Sequence, residues 1–342
     1  MPEFVPGREL NAAFYAEVVA PAVGDVEHAA GYLGWGSEVL GNDTERSTDH
    51  GWGPRLQVFV DETEVAAVGE RVRAALPDEF RGWPVRFGWD EVAPRDHVEV
   101  VPLAHWLRGQ LGFDPTAGVT TADWLTTPQQ LILEVVGGAV FHDGVGDLTA
   151  VRAALAWYPD EIWLYVLACQ WRRIEQREAF VGRTSEVGDE LGSRIVAARL
   201  ARDVIRMCFL IERRYAPYTK WLGTAFARLD AANEVRPALE RALSADGYAG
   251  REAGLVDAYE SVARRFNGLG LTDPVEPTVR PFHSRSFLVL HSERFVAACL
   301  ARMTEPWREV PLVGAVDQHV DSTDIASHVE VAKKFPRFLG NA

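Results

Sequence analysis

The residues best suited to chemistry lie in one stretch, GYLGWGSEVLGNDTERSTDHGWGPRLQVFV, from Gly31 to Val60. Gly36 and Ser37 form a turn signal near its centre. A glycine there lets a ligand approach the backbone without meeting a Cβ, and the serine adds a hydroxyl and an N–H. Convergent N–H groups clear of side chains are what a phosphate requires. Asp49, further along, is a hard oxygen ligand of the kind that holds magnesium against phosphates. Together Gly36 and Ser37 suggest a bed for phosphate groups, with Asp49 as the ligand of a magnesium ion bridging them.

Two strands must position these groups. The first is a short apolar run ending at Leu33, and the second runs from Arg55 to Val60, with Asp49 at its mouth. Leu56, Val58 and Val60 alternate with Gln57 and Phe59, the period of a strand with unequal faces. Two further strands are expected over Pro84 to Trp89 and His97 to Val101, split by the turn-rich EVAPRD. On the latter, His97, Glu99 and Val101 share a face. Glu99 is open to two readings: a second metal ligand or a base, or a solvated glutamate on an edge strand. Helices are expected from Glu9 to Ala20, stopped by Pro21, and from Glu64 to Leu76.

A Gly-Ser turn, a spacer and an acidic residue opening a strand resemble the signature of the nucleotidyltransferase superfamily. The strings GSEVLG, STDHGWGPR, GDELGSRIVAARL and ERRYAPYTKWLGTAF are similar to the DUF4037 family, so the resemblance runs over most of the chain. It implies an α+β fold, with a small mixed-sheet nucleotidyltransferase-like domain over residues 1–105 and a mostly helical domain over 106–342 closing over the cleft. It also implies transfer of a nucleoside monophosphate from a nucleoside triphosphate to a small-molecule acceptor, with Gly36, Ser37 and Arg55 binding the nucleotide, Mg2+ as cofactor and Asp49 and Glu99 as catalytic and metal-binding carboxylates. One departure falls in the site. The superfamily's acidic pair is two carboxylates separated by one residue, whereas Asp49 is followed by His50 and Gly51. The alternatives are a nucleotide-binding sensor or partner module without transfer chemistry, or a cleft adapted to another small-molecule reaction.

At 342 residues the chain has room for two domains. Its net charge of −14 argues against a nucleic-acid groove, which needs clustered Lys and Arg. Cys169, Cys208 and Cys299 are widely spaced in apolar helical settings and read as reduced core residues. MPEFVPGREL lacks the basic and apolar regions of a signal peptide, and no apolar run reaches transmembrane length. These features lead us to expect a soluble cytoplasmic protein.

From Leu103 onward the pattern is helical, apart from FHDG at Phe141–Gly144, which reads as a turn. In the segment Glu186 to Arg214, the residues Arg199, Arg202, Arg206 and Arg213 recur on one helix side. They pair within the helix, through Asp203 and Glu212, or else one or two of them clamp a triphosphate, Arg206 among them. Beyond the break at Pro217, Tyr218 and Trp221 could stack a base or sugar face. The resemblance makes Lys220 a triphosphate ligand, and its plainer reading is a surface lysine beside core aromatics.

Overall fold

A computed structural model describes residues 2–90 and 92–334. The fold is α+β and divides into two compact units. The first takes in the chain up to Asp123, Gln130–Ala156 and Ser327–Lys333; the second takes in Trp124–Gln129, Trp157–Ala326 and Lys334.

The first unit contains β1 (Ala29–Tyr32), β2 (Arg55–Phe59), β3 (Glu79–Phe80), β4 (Trp83–Pro84), β5 (Arg86–Trp89), β6 (Val92–Val101) and β7 (Ala139–Asp143). Five of these form a mixed sheet in the order β5-β6-β2-β1-β7, with β2 and β6 parallel and the other neighbours antiparallel. A parallel pair needs a crossover, and the helix Val65–Ala75 supplies it. The β2–β6 register sets Leu56 beside Val98 and Val58 beside Val100. These four pack with Leu10, Phe14, Val68 and Val72 in one apolar cluster. The alternation of side chains then sends Arg55, Gln57 and Phe59 to the opposite face, beside His97, Glu99 and Val101.

Several elements differ from the sequence reading for identifiable reasons. Pro21 does not stop the first helix. A π-helical segment, Tyr15–Val19, precedes Ala20–Val23, so Pro21 falls in a first turn where its missing N–H is tolerated. In EVAPRD, Val92 to Asp96 belong to β6 and pair in a hairpin with β5. Pro94 fits there because β2 pairs only with His97 to Val101, leaving the earlier stretch one-sided. FHDG lies largely in strand β7, which pairs with β1. The turn comes just after it, where the Asp143 carboxylate accepts the N–H groups of Gly146 (3.1 Å) and Thr149 (2.7 Å). Because β7 joins the sheet, most of the chain between Trp106 and Ala156 folds with the first unit, and the compact units do not divide at residues 105 and 106.

The second unit is built from helices, chiefly Asp160–Glu178, Glu190–Ile211, Ala232–Ser244, Tyr248–Asn267 and Glu293–Arg302. Trp171 stacks on Phe295 at 4.5 Å and meets Phe266 edge-on at 5.6 Å. The three cysteines are free and buried, and burial pushes their thiols up. No helix among the described residues is long and apolar enough to cross a membrane.

Buried charges tie the helices together. Asp203 lies between Arg173 (3.4 Å) and Arg177 (3.7 Å) of the neighbouring helix. Glu178 accepts the N–H groups of Leu290 and Ser292, both at 2.9 Å, and fixes the entry to the helix Glu293–Arg302. Burial pushes its pKa up to about 7 from the ordinary 4.5, against the pull of those N–H groups. The fold therefore favours the protonated form. The stability this contributes is fully present below pH 4.5 and is lost as pH rises through about 7. In urea titrations across that window, the wild-type midpoint should fall with pH more steeply than that of Glu178→Gln. Identical slopes would show that Glu178 does not titrate there.

Candidate functional site

The bend after β1 is held from beneath by Arg55, the first residue of β2. Its position is set by Asn11, whose side-chain oxygen accepts the Arg55 N–H at 2.6 Å. The Arg55 side chain is buried and donates to Leu33 O (3.0 Å), to the Trp35 carbonyl and to Glu38 Oε1 (2.8 Å). Its guanidinium lies 4.5 Å from the centre of the Tyr32 ring and 4.1 Å from that of Trp35. Burial opposes the cation, yet Tyr32, Glu38 and Glu99 hold its pKa above the ordinary value. The Arg55–Glu38 pair is almost wholly buried, at 2% and 4% side-chain exposure. Arg55, expected to bind nucleotide, thus spends both terminal nitrogens on the bend itself.

This pairing also accounts for Gly36. Its φ is +113°, and a Cβ there would lie 2.2 Å from Glu38 Oε1. The missing side chain makes room for the folded-back carboxylate. Ser37 Oγ lies 3.4 Å from the other Glu38 oxygen. The network continues along the sheet: Gln57 accepts the Leu33 N–H at 3.0 Å and reaches Glu99 Oε2 at 3.5 Å. Glu99 itself is exposed. Gly34 N–H donates to the carbonyl of Glu134 at 2.8 Å, and the Glu134 carboxylate, raised in pKa by burial, accepts from Gln110 and Gln130. Glu38, Gln57 and Glu134 were missed by the sequence reading. Only the odd place of Gln57 in an apolar strand hinted at them.

Asp49 does not open β2 as expected. It closes a 3-10 turn, Glu45–Asp49, is exposed, and is separated from β2 by the buried segment Gly51–Pro54. Gly51, the position without a second carboxylate, has φ +63°, and a Cβ there would come within 3.3 Å of both Trp35 and Trp89. These indoles lie 5.0 Å apart. Trp89 stacks on His97 at 5.6 Å, and His50 lies 6.1 Å from Trp89. An aromatic wall thus stands where the acidic pair was expected to continue. Among the described residues, no group of three or more His, Cys, Asp or Glu could hold a metal ion.

Arg206, Tyr218 and Lys220 belong to the helical unit. Among the described residues, Arg199, Arg202, Arg206 and Arg213 form no ion pair with Asp203 or Glu212, and they do not stay together. Arg199 is exposed, Arg202 lies 3.8 Å from Asp321, and Arg213 lies 3.9 Å from Asp160 with its guanidinium over Trp163. Arg206 is buried and helps stabilise the charge of Asp317, whose pKa burial raises. Asp203 and Glu212 serve other partners: the former binds Arg173 and Arg177, and the latter accepts the N–H groups of Asp230 and Ala231. Tyr218 sits at the N-cap of the helix Thr219–Phe226, and exposed Lys220 places Nζ 5.1 Å from the centre of the Trp221 ring.

The site in the sheet unit is therefore a backbone bend held by the buried Arg55–Glu38 pair, with exposed Glu99 linked to it through Gln57 and an aromatic wall beside it. A family described as a domain of unknown function, DUF4037, matches residues 124–222. That segment contains GDELGSRIVAARL and most of ERRYAPYTKWLGTAF; GSEVLG and STDHGWGPR lie outside it. No curated protein matches the chain.

Removing one partner of a buried ion pair strands the other charge. Glu38→Ala should therefore cost about 3–5 kcal/mol in urea unfolding, far more than a surface substitution. A loss under about 0.5 kcal/mol would show that the pair does not support the bend.

Proposed function

We propose that the sheet unit binds a nucleoside triphosphate at the Trp35–Gly36–Ser37 bend and transfers its nucleoside monophosphate to a small acceptor bearing a hydroxyl or amino group. The observation that carries this reading is the bend, whose backbone is fixed by the buried Arg55–Glu38 pair with Ser37 at its turn. A preorganised bend can meet phosphate oxygens without paying for its own ordering. Asp49 and Glu99 are both exposed, which suits a magnesium ion that takes most of its oxygens from the nucleotide and water rather than one enclosed by protein. Asp49 and Glu99 would hold that ion, which when bound offsets the negative charge gathering on the leaving phosphates.

In this reading the Ser37 hydroxyl and the N–H groups of the bend hold the phosphates in line with the acceptor. The acceptor oxygen or nitrogen bonds to the α-phosphorus as the bond to the bridging oxygen breaks. Pyrophosphate leaves with that electron pair, and the acceptor's proton passes to Glu99, steadied by Gln57. A second reading, nucleotide binding without transfer, draws on Gly51, where the positive φ and the two indoles leave no easy place for another carboxylate.

The test is to incubate the purified full chain with magnesium, each labelled triphosphate and an acceptor panel. Pyrophosphate release should fall by about a hundred-fold or more in Glu99→Gln and should also fall in Asp49→Ala. Binding without release would favour the second reading, and absence of both would overturn the two together.

A further inference from the structure

Trp35 is the only tryptophan among the exposed large apolar side chains of the described residues, with 39% of its surface open. Large aromatic side chains gain most by burial, so an indole held in solvent calls for an explanation. This one is held firmly. Its carbonyl is bound by Arg55, and its ring rests on the same guanidinium at 4.1 Å. Trp89 stands beside it at 5.0 Å with its plane turned by 52°, and the two rings form a corner. His50, paired with Asp90 at 3.8 Å, adds polar groups near Trp89.

We infer that the exposed part of the Trp35 ring, beside Trp89, is a base subsite that takes a purine ring, an inference that rests on the nucleotide reading above and specifies its ligand. A flat ring matches an indole face, and stacking of this kind is a general means of holding bases. The preference for purines follows from Arg55. With one ring face held by the guanidinium, recognition rests on the area that stays open, and a two-ring purine covers more of an indole than a pyrimidine does. Chain order agrees: Trp35 precedes Gly36 and Ser37, so base and phosphate contacts follow one another along a single rigid bend.

Calorimetric titration of the full chain with adenosine, ATP and UTP, the triphosphates with magnesium, tests this. Trp35→Leu keeps an apolar cover over Arg55 while removing the ring, and Trp35→Phe restores an aromatic face. Adenosine should bind the wild type, lose about ten-fold in affinity in Trp35→Leu and recover most of it in Trp35→Phe. ATP should bind more tightly than UTP in the wild type and nearly equally in Trp35→Leu. Should Trp35→Leu fail to fold, Trp89→Leu takes its place, with the same loss expected. No adenosine binding to the wild type, or unchanged adenosine affinity in a folded variant, overturns the subsite. If adenosine behaves as expected but ATP binds no more tightly than adenosine, the subsite stands and the phosphate reading fails.

Discussion

The buried contact between Arg55 and Glu38 is the constraint on which the sheet unit's bend depends. Taking a guanidinium and a carboxylate out of water costs several kcal/mol for each ion, and mutual attraction alone often fails to offset it. Here the cation also receives two backbone carbonyls and two aromatic rings, which offset the desolvation of its terminal nitrogens while Nε stays buried without a hydrogen-bond partner. A pair of well-packed apolar residues could fill the same volume, but it would not fix the Trp35 carbonyl. What the ion pair contributes is therefore position: it fixes where the chain turns, which conformation Gly36 must adopt and where the Trp35 ring lies.

The parts of this arrangement that follow hydrophobic period were legible in the sequence. The alternation in β2 separates Leu56 and Val58 from Gln57 and Phe59, and the sheet uses the two faces accordingly. What could not be read were cases in which polar letters serve buried geometry. Glu38 follows a Gly-Ser turn and looks like a surface residue, yet its carboxylate is the counter-ion of a residue 17 positions away. Strand β7 was obscured because His142 and Asp143 resemble turn residues, although the turn lies just beyond them. The arginines of the long helix share one side by spacing alone. Burial then separates them, because the surroundings of a helix change along its length: Arg206 meets buried Asp317 while Arg199 meets solvent.

Gly51 shows how one position can carry two opposed demands. A carboxylate there would suit a site for two metal ions, but it would have to adopt a left-handed backbone against two indoles. The chain resolves the conflict in favour of the rings. The sequence around Gly51 then contributes to an aromatic wall in place of a compact acidic pair, and recognition of the proposed nucleotide would rest on shape and stacking more than on charge.

That balance is consistent with how Arg55 is used. An arginine free to fork onto phosphate would supply strong but salt-sensitive attraction, whereas a sequestered one adds little direct charge to the surface. In the proposed function its effect would reach the nucleotide through the groups it fixes, namely the bend's backbone and the indole laid over its guanidinium. Such groups lose little freedom when a ligand arrives, because the ordering has already been done in the folded protein. An exposed tryptophan held in this way is a fixed surface rather than a loose apolar side chain, which is what the proposed base subsite requires.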